Sequence, residues 1–330
     1  MTARTRTFRI AALGAAVVLA ATACSGGGRE KTDETDSAGG NAPGSSGYTI
    51  AFITHETPGD TFWDKVKNGA NQAAKDTGVT LKYSNDPEAP KQAVLIQNAV
   101  DSKVNAIATT LVTPDALAGA VKAASDAKIP VVGFNSGIDD YQRLGALMYF
   151  GSDETLAGTE AGKKLAEQGV KHPLCVIQQT GSVALEARCA GVKSSVPGTE
   201  NIQVNGADDA AVTSTLQAKL AQDKSIDAIV TLGAPQALDA IKAKEQSGSE
   251  AKLVTFDLNE QAATEIKNGN IVFSIDQQPY VQGYMAVTSL YLNLKNGNDI
   301  GGGKAVLTGP SFVDSTNIDK ILPFTKNNTR

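Results

Sequence analysis

From Tyr48 onward the chain alternates short β-rich runs with stretches of helical spacing, and that alternation confines it to α/β architectures. Strands are expected at 48–55, 80–85, 106–111, 131–135 and 147–151, and in a second series at 174–179, 202–205, 228–233, 253–257 and 271–276. Helices are expected between them at 60–78, 89–102, 114–127, 184–194, 210–223, 235–247 and 279–295. In the first helix Phe62, Val66, Ala70, Ala73 and Ala74 mark one apolar face, and Gly78 suits its C-terminal cap. Pro114 fits a first helical turn, where its missing N–H costs nothing. Strands spaced by helices of this length form βαβ units, hence parallel sheets with helices on both faces. Two series predict two doubly wound, Rossmann-like sheets, each offering the crevice beyond its strand C-ends for binding. The simplest arrangement is two lobes facing each other across a cleft.

The first 23 residues read as an address. Arg4, Arg6 and Arg9 precede an almost wholly small or apolar run from Ile10 to Ala23, too short for a membrane span and suited to a secretory signal. The run ends at Ala21-Thr22-Ala23-Cys24, followed by Ser25 and three glycines. This looks like a bacterial lipoprotein signal, in which Cys24 becomes the lipidated first residue. It departs from the usual box in carrying Ala21 where a Leu is common. An ordinary signal peptide cut nearby is the alternative. Residues 24–47 are polar with Ala as the only apolar type beyond Cys24, so they are expected to form a flexible tether. The expected location is the extracytoplasmic face of the cell membrane, with lipid as the anchor.

Charge and residue usage exclude several functions. The chain carries 30 basic and 35 acidic residues, and loss of the three signal arginines takes the net charge from −5 to −8. A nucleic-acid partner is therefore not expected. Three Cys and two His are too few for a zinc site built mainly from those ligands. No G-x-S-x-G, Walker loop or H-E-x-x-H occurs, and Gly301-Gly302-Gly303 lacks the spacing of a dinucleotide loop. The chain is read as neither an enzyme nor a cofactor carrier.

Several segments together resemble the sugar-binding proteins of the ribose/galactose type, members of the type I periplasmic-binding-protein family that serve ABC importers. They are Ile50–Thr54 with Asp60, Thr61-Phe62-Trp63 and Gly69-Ala70, then Thr113–Leu117, Ile129–Asn135 and Gly151-Ser152-Asp153. Arg188-Cys189-Ala190-Gly191, Val254–Asp257 and Ile275–Pro279 continue the likeness, which spans roughly 48–319. The resemblance implies a three-strand hinge, with crossings near Asp153, near Gln277 and around 297–304. Lobe one would comprise 48–152 plus 278–300, and lobe two 153–277 plus 301–330. It also implies a sugar or polyol ligand, an ABC permease as partner and a monomeric receptor. A DNA-binding repressor of the same fold is excluded, because a signal peptide and tether stand where its DNA-binding helices would be. A sensor that presents an autoinducer-2-like furanosyl signal to a signalling partner is the alternative role.

Sugar hydroxyls both donate and accept, so charged and amide side chains at strand ends suit them, and aromatic faces suit their C–H surfaces. Asp60, Phe62 and Trp63 follow the first strand where the relatives carry a polar residue and two aromatics; a helix cap and core packing are the plainer roles. His55 fits the cleft or a plain loop equally. Asn135 stands where the relatives often use Asp-Arg, and a turn would also employ it. Asp257 and Gln277 match ligand residues of the relatives, a cap for the following helix being the plainer role of Asp257, while Asp276 would steady the hinge. Glu186 stands where ribose binders place an Arg, and Arg188 matches a second Arg; the alternative is a solvated pair on a helix face. Gly233 replaces an Asn. These two departures argue against ribose itself and leave room for a different polyol or sugar. Cys175 and Cys189, one at a strand start and one on the next helix of an exported chain, suggest a disulfide, with two buried thiols as the alternative.

Overall fold

The computed structural model describes residues 44–330. The expected signal peptide, Cys24 and most of the expected tether lie outside the described residues. The first series runs β1 (Thr49–Thr54), α1 (Phe62–Thr77), β2 (Thr80–Asn85), α2 (Ala89–Asp101), β3 (Ala106–Thr110), α3 (Pro114–Asp126), β4 (Val131–Phe134) and β5 (Met148–Ser152). The second runs α4 (Glu154–Glu167), β6 (Pro173–Ile177), α5 (Val183–Ser195), β7 (Glu200–Gln203), α6 (Asp209–Gln222), β8 (Ala228–Thr231), α7 (Ala234–Ser247), β9 (Lys252–Phe256), α8 (Glu260–Asn268) and β10 (Phe273–Asp276). The chain then adds α9 (Pro279–Asn296), β11 (Val306–Gly309), β12 (Ser311–Asp314) and α10 (Ile318–Lys326).

Two sheets result, in the orders β11-β5-β4-β3-β1-β2 and β12-β10-β9-β8-β6-β7. Neighbours pair in parallel except β10 and β12. Strands β3, β4 and β8 are buried along their whole length, as expected when helices cover both faces of a sheet. Four apolar clusters, one on each face of each sheet, form the core; Ile50, Phe52, Val66 and Phe134 meet Ala286, Val287 and Leu290 of α9 in one of them. Helices α1 and α9 touch backbone to backbone: a Cβ on Gly69 would lie 2.0 Å from Tyr280 O, and one on Gly283 would lie 2.1 Å from Val66 O.

Two boundaries depart from the sequence expectation. The resemblance places residues 301–309 in lobe two, but β11 pairs with β5 in the first sheet, Val306 opposite Phe150. Gly301, Gly302 and Gly303 all have positive φ and form a turn closed by Lys304 N–H donating to Gly301 O at 3.1 Å, which feeds that edge strand instead of crossing between sheets. The passage to the second sheet comes at Gly309-Pro310. Composition extends the tether to residue 47, yet Ser46 donates twice to Gly78 O, from N at 2.7 Å and from Oγ at 3.1 Å. Gly78 sits in the left-handed conformation that ends α1 and presents this carbonyl to the incoming chain. Helices α4, α8 and α10 and strands β11 and β12 were not anticipated. Side-chain caps mark the first two: Asp153 accepts from Leu156 N, and Asn259 from Ala262 N.

Candidate functional site

The C-terminal ends of the parallel strands in both sheets converge on one cavity. The first sheet contributes His55, Thr57 and Asp60 after β1, Phe62 and Trp63 at the start of α1, and Asn135 after β4. The second contributes Gln178 and Gln179 after β6, Ser182, Ala184, Leu185 and Arg188 around the start of α5, and Gly206 after β7. Leu232 and Gln236 follow β8, Asp257 follows β9 and Gln277 follows β10. The sheets also meet around the rim. Val183 N donates to Val112 O at 3.3 Å, Gln179 Nε2 to Pro87 O at 3.5 Å, and Asn259 Nδ2 to Thr61 Oγ1 at 3.5 Å.

Strand ends are strained where the site is built. Asn135, Asp257 and Gln278 each adopt positive φ, at 66°, 67° and 56°. This conformation costs a non-glycine residue roughly 1–2 kcal/mol, least for Asn and Asp. It turns the chain sharply at the strand end, and a hydrogen-bond network joins Asn135 to Asp257. Asn135 Nδ2 donates to Gln282 Oε1 at 3.3 Å, Gln282 Nε2 donates to Gln277 O at 3.2 Å, and Gln277 Nε2 donates to Asp257 Oδ1 at 2.6 Å. A residue of the first sheet is thereby linked to one of the second. Gln282 is fully buried and was missed in the sequence, where a polar residue at a core-facing position of α9 is the signal. Asp276 accepts from Gln278 N at 2.8 Å and from Arg330 Nε, beside Gln277 at the passage between sheets.

Trp63 is both core and cavity wall. It is only 3% exposed, joins the apolar cluster under β1, and stands edge-on to Phe62 and to His55, at 5.1 and 4.8 Å between centroids. Asp60 likewise serves twice: Oδ1 accepts from Phe62 N at 3.0 Å at the start of α1, and the residue lines the cavity. His55 Nδ1 lies 2.8 Å from Thr110 Oγ1, and burial, aided by Arg188, pushes its pKa down to about 3, so the ring is neutral. Burial pushes Asp257 up to about 7, against the pull of Arg188 and Gln277. Burial also raises Asp60, opposed by the Phe62 amide and Lys65. Lys65, another residue the sequence did not single out, is buried with Nζ donating to Thr61 O at 3.1 Å; burial lowers its pKa while Asp257 and Asp60 hold it up.

Of the residues expected at the site, His55, Asp60, Phe62, Trp63, Asn135, Arg188, Asp257 and Gln277 line the cavity. Glu186 does not. It is exposed, because two residues along a helix rotate the side chain by about 200°, so Arg188 and Glu186 face opposite ways. The carboxylate that meets Arg188 is Glu154, with Nε donating to Oε2 at 2.6 Å. Around position 233, where ribose binders carry an Asn, other polar groups gather. A Cβ on Gly233 would lie 2.6 Å from Gln236 Oε1 and 3.2 Å from Gln178 Nε2, so the glycine makes room for two amides that line the cavity. Among the described residues His172, Glu200 and Asp223 also come together, but Lys219 Nζ lies 2.8 Å from Glu200 Oε2 and supplies the positive charge there.

A pair of doubly wound sheets whose strand ends share one polar, aromatic-walled cavity defines a two-lobed binding protein. Residues 50–299 match the family described as the periplasmic binding protein domain, and the chain belongs to that family. The crystal structure of a carbohydrate transporter from Acidothermus cellulolyticus 11B in complex with myo-inositol is similar, with 54% identity and a TM-score of 0.85, over 86% of this chain and 99% of that one. The xylose/arabinose-binding protein XylF of Sulfolobus acidocaldarius is 26% identical, over 86% of this chain and 75% of the relative. The ribose import binding protein RbsB of Haemophilus influenzae is also 26% identical, over 73% and 82% respectively. No helix among the described residues is long and apolar enough to cross a membrane.

Proposed function

We propose that this protein is an extracytoplasmic solute receptor that closes on a neutral cyclitol or sugar, with myo-inositol the first candidate, and delivers it to an ABC permease. The observation that carries this reading is the cavity itself. An aromatic wall from Phe62 and Trp63 faces carboxylate, amide and guanidinium groups drawn from both sheets. Such a set suits a ring with apolar C–H faces and a rim of hydroxyls. The 54% identical relative in complex with myo-inositol supports the choice of ligand. His55, Asp60, Phe62, Trp63 and Asn135 are proposed as the first lobe's contacts, and Arg188, Asp257, Gln277, Gln178 and Gln236 as the second's. The lobes are taken as 44–152 with 278–309, and 153–277 with 310–330, swinging about the three passages between them as rigid bodies. Closure requires the ligand to favour the closed form, hence contacts from both lobes.

The test is a calorimetric titration with myo-inositol, D-xylose, L-arabinose and D-ribose, with Trp63 fluorescence as a second readout. Saturable binding of myo-inositol with an emission change supports the reading. Binding of none of the four, or binding with no change at Trp63 and no compaction in small-angle scattering, sinks it. A ligand at 100 times its Kd should also add about 2.7 kcal/mol of stability. Lipidation at Cys24 is proposed to hold the receptor to the outer face of the membrane. Cys24→Ala should then release it from the membrane fraction or leave its precursor uncleaved.

A further inference from the structure

Arg188 reaches the cavity with its guanidinium already held on three sides. Nε donates to Glu154 Oε2 at 2.6 Å, one terminal nitrogen donates to Leu232 O at 3.1 Å, and the group lies 4.6 Å from the centre of the Phe256 ring. A guanidinium carries five N–H donors, so three remain for the cavity. Glu154 does not line that cavity. It is 2% exposed and begins α4 directly after the first passage between the sheets. It faces a separate small hollow between residues 137–140 and the first turns of α4 and α5. Its Oε1 has no hydrogen-bond partner there. The carboxylate therefore cancels the charge of Arg188 from the side away from the cavity.

We propose that Glu154 sets the charge selectivity of the cleft: by neutralising Arg188 from behind, it lets the guanidinium donate to a neutral polyol without offering an unbalanced cation to a sugar acid. The inference rests on the polyol reading above. Asp257 and Asp60 also oppose an anion, but both line the cavity, so removing either takes away a ligand contact as well. Glu154 is distinguished by meeting the site through its hydrogen bond to Arg188, with a smaller like-charge push on Asp257, and by not lining the cavity; it is a positioning residue whose removal changes charge without removing a ligand hydrogen bond. A buried cation without its counter-ion is costly, so it recruits any anion that reaches it.

The experiment titrates myo-inositol and D-glucuronate into the wild type, Glu154→Gln and Glu154→Asp at pH 8. The wild type should bind glucuronate at least 100-fold more weakly than myo-inositol. Glu154→Gln should narrow that ratio at least tenfold, whereas Glu154→Asp keeps the charge and should keep the ratio even where both affinities fall. A purely structural role would weaken both ligands alike. If Glu154→Gln does not fold, Arg188→Gln is compared with Glu154→Gln/Arg188→Gln. The single variant leaves an unbalanced carboxylate and should disfavour D-glucuronate against myo-inositol by at least tenfold relative to the double variant. A wild type that binds myo-inositol and glucuronate equally, or a folded Glu154→Gln or Arg188→Gln with no such change, overturns the proposal alone. A wild type that binds neither myo-inositol nor any sugar overturns the polyol reading and this inference with it.

Discussion

Asp257→Asn separates the binding role of a buried acid from its structural cost. Asp257 is buried, receives the Gln277 amide on one oxygen, and has its pKa pushed up to about 7 by desolvation. An unfolded Asp titrates near 3.9, so the folded protein holds the extra proton between about pH 4 and 7. Stability falls with rising pH wherever the folded state binds more protons, so ionised Asp257 destabilises the unliganded protein above pH 7. At about 1.4 kcal/mol per pH unit the penalty is at most about 4 kcal/mol. Asn keeps the acceptor for Gln277 and removes the charge. The unliganded variant should therefore be more stable than wild type at pH 8 and comparable at pH 4.5, measured by urea denaturation. Binding should move the other way. Charge-assisted bonds contribute about 1.5–3 kcal/mol and neutral ones about 0.5–1.5 kcal/mol, so myo-inositol should bind on the order of tenfold more weakly at pH 8. The wild-type Kd should rise as pH falls from 8 to 6, and the variant's should stay flat. A variant with wild-type stability at both pH values and unchanged affinity would refute the reasoning.

Glu186→Ala should leave ligand affinity within twofold, because the side chain is exposed on the outer face of α5; Gln282→Ala, which cuts the link from Asn135 to Gln277, should weaken it at least tenfold in the same titration. Gly158→Ala would place a Cβ 2.1 Å from Arg188 O, so α4 and α5 must separate; thermal denaturation should show a loss of about 1–3 kcal/mol, and ligand affinity should fall as Arg188 shifts. Cys175 and Cys189 meet sulfur to sulfur with Cα atoms 5.8 Å apart, so thiol labelling of the unfolded, unreduced protein should modify neither. Bridging these residues contributes about 3 kcal/mol in the chain-entropy model, which Cys189→Ala should forfeit.

Much of the candidate site was legible because the segments resemble those of the family, and because parallel α/β sheets put loop residues at strand ends, which short β-branched runs mark. His55, Asn135, Asp257 and Gln277 follow β1, β4, β9 and β10, and all four line the cavity. The double series of strands determined the α/β class and the pair of sheets, since period-two and helical patterns are local properties of the chain. What lies beyond local pattern was decided by tertiary packing. Glu186 and Glu154 are both acids near the starts of helices; Glu186 turns to solvent on the opposite side of α5 from Arg188, and it is the packing of α4 against α5 that brings Glu154 to Arg188. Gln178 and Gln236 converge because Gly233 leaves a space between them, a fact about two separate segments. The third passage between sheets moved from 297–304 to Gly309-Pro310 because β11 found an open edge beside β5. A strand's partner is chosen by unpaired backbone groups elsewhere in the molecule, and nothing in the strand's own residues records where those groups are.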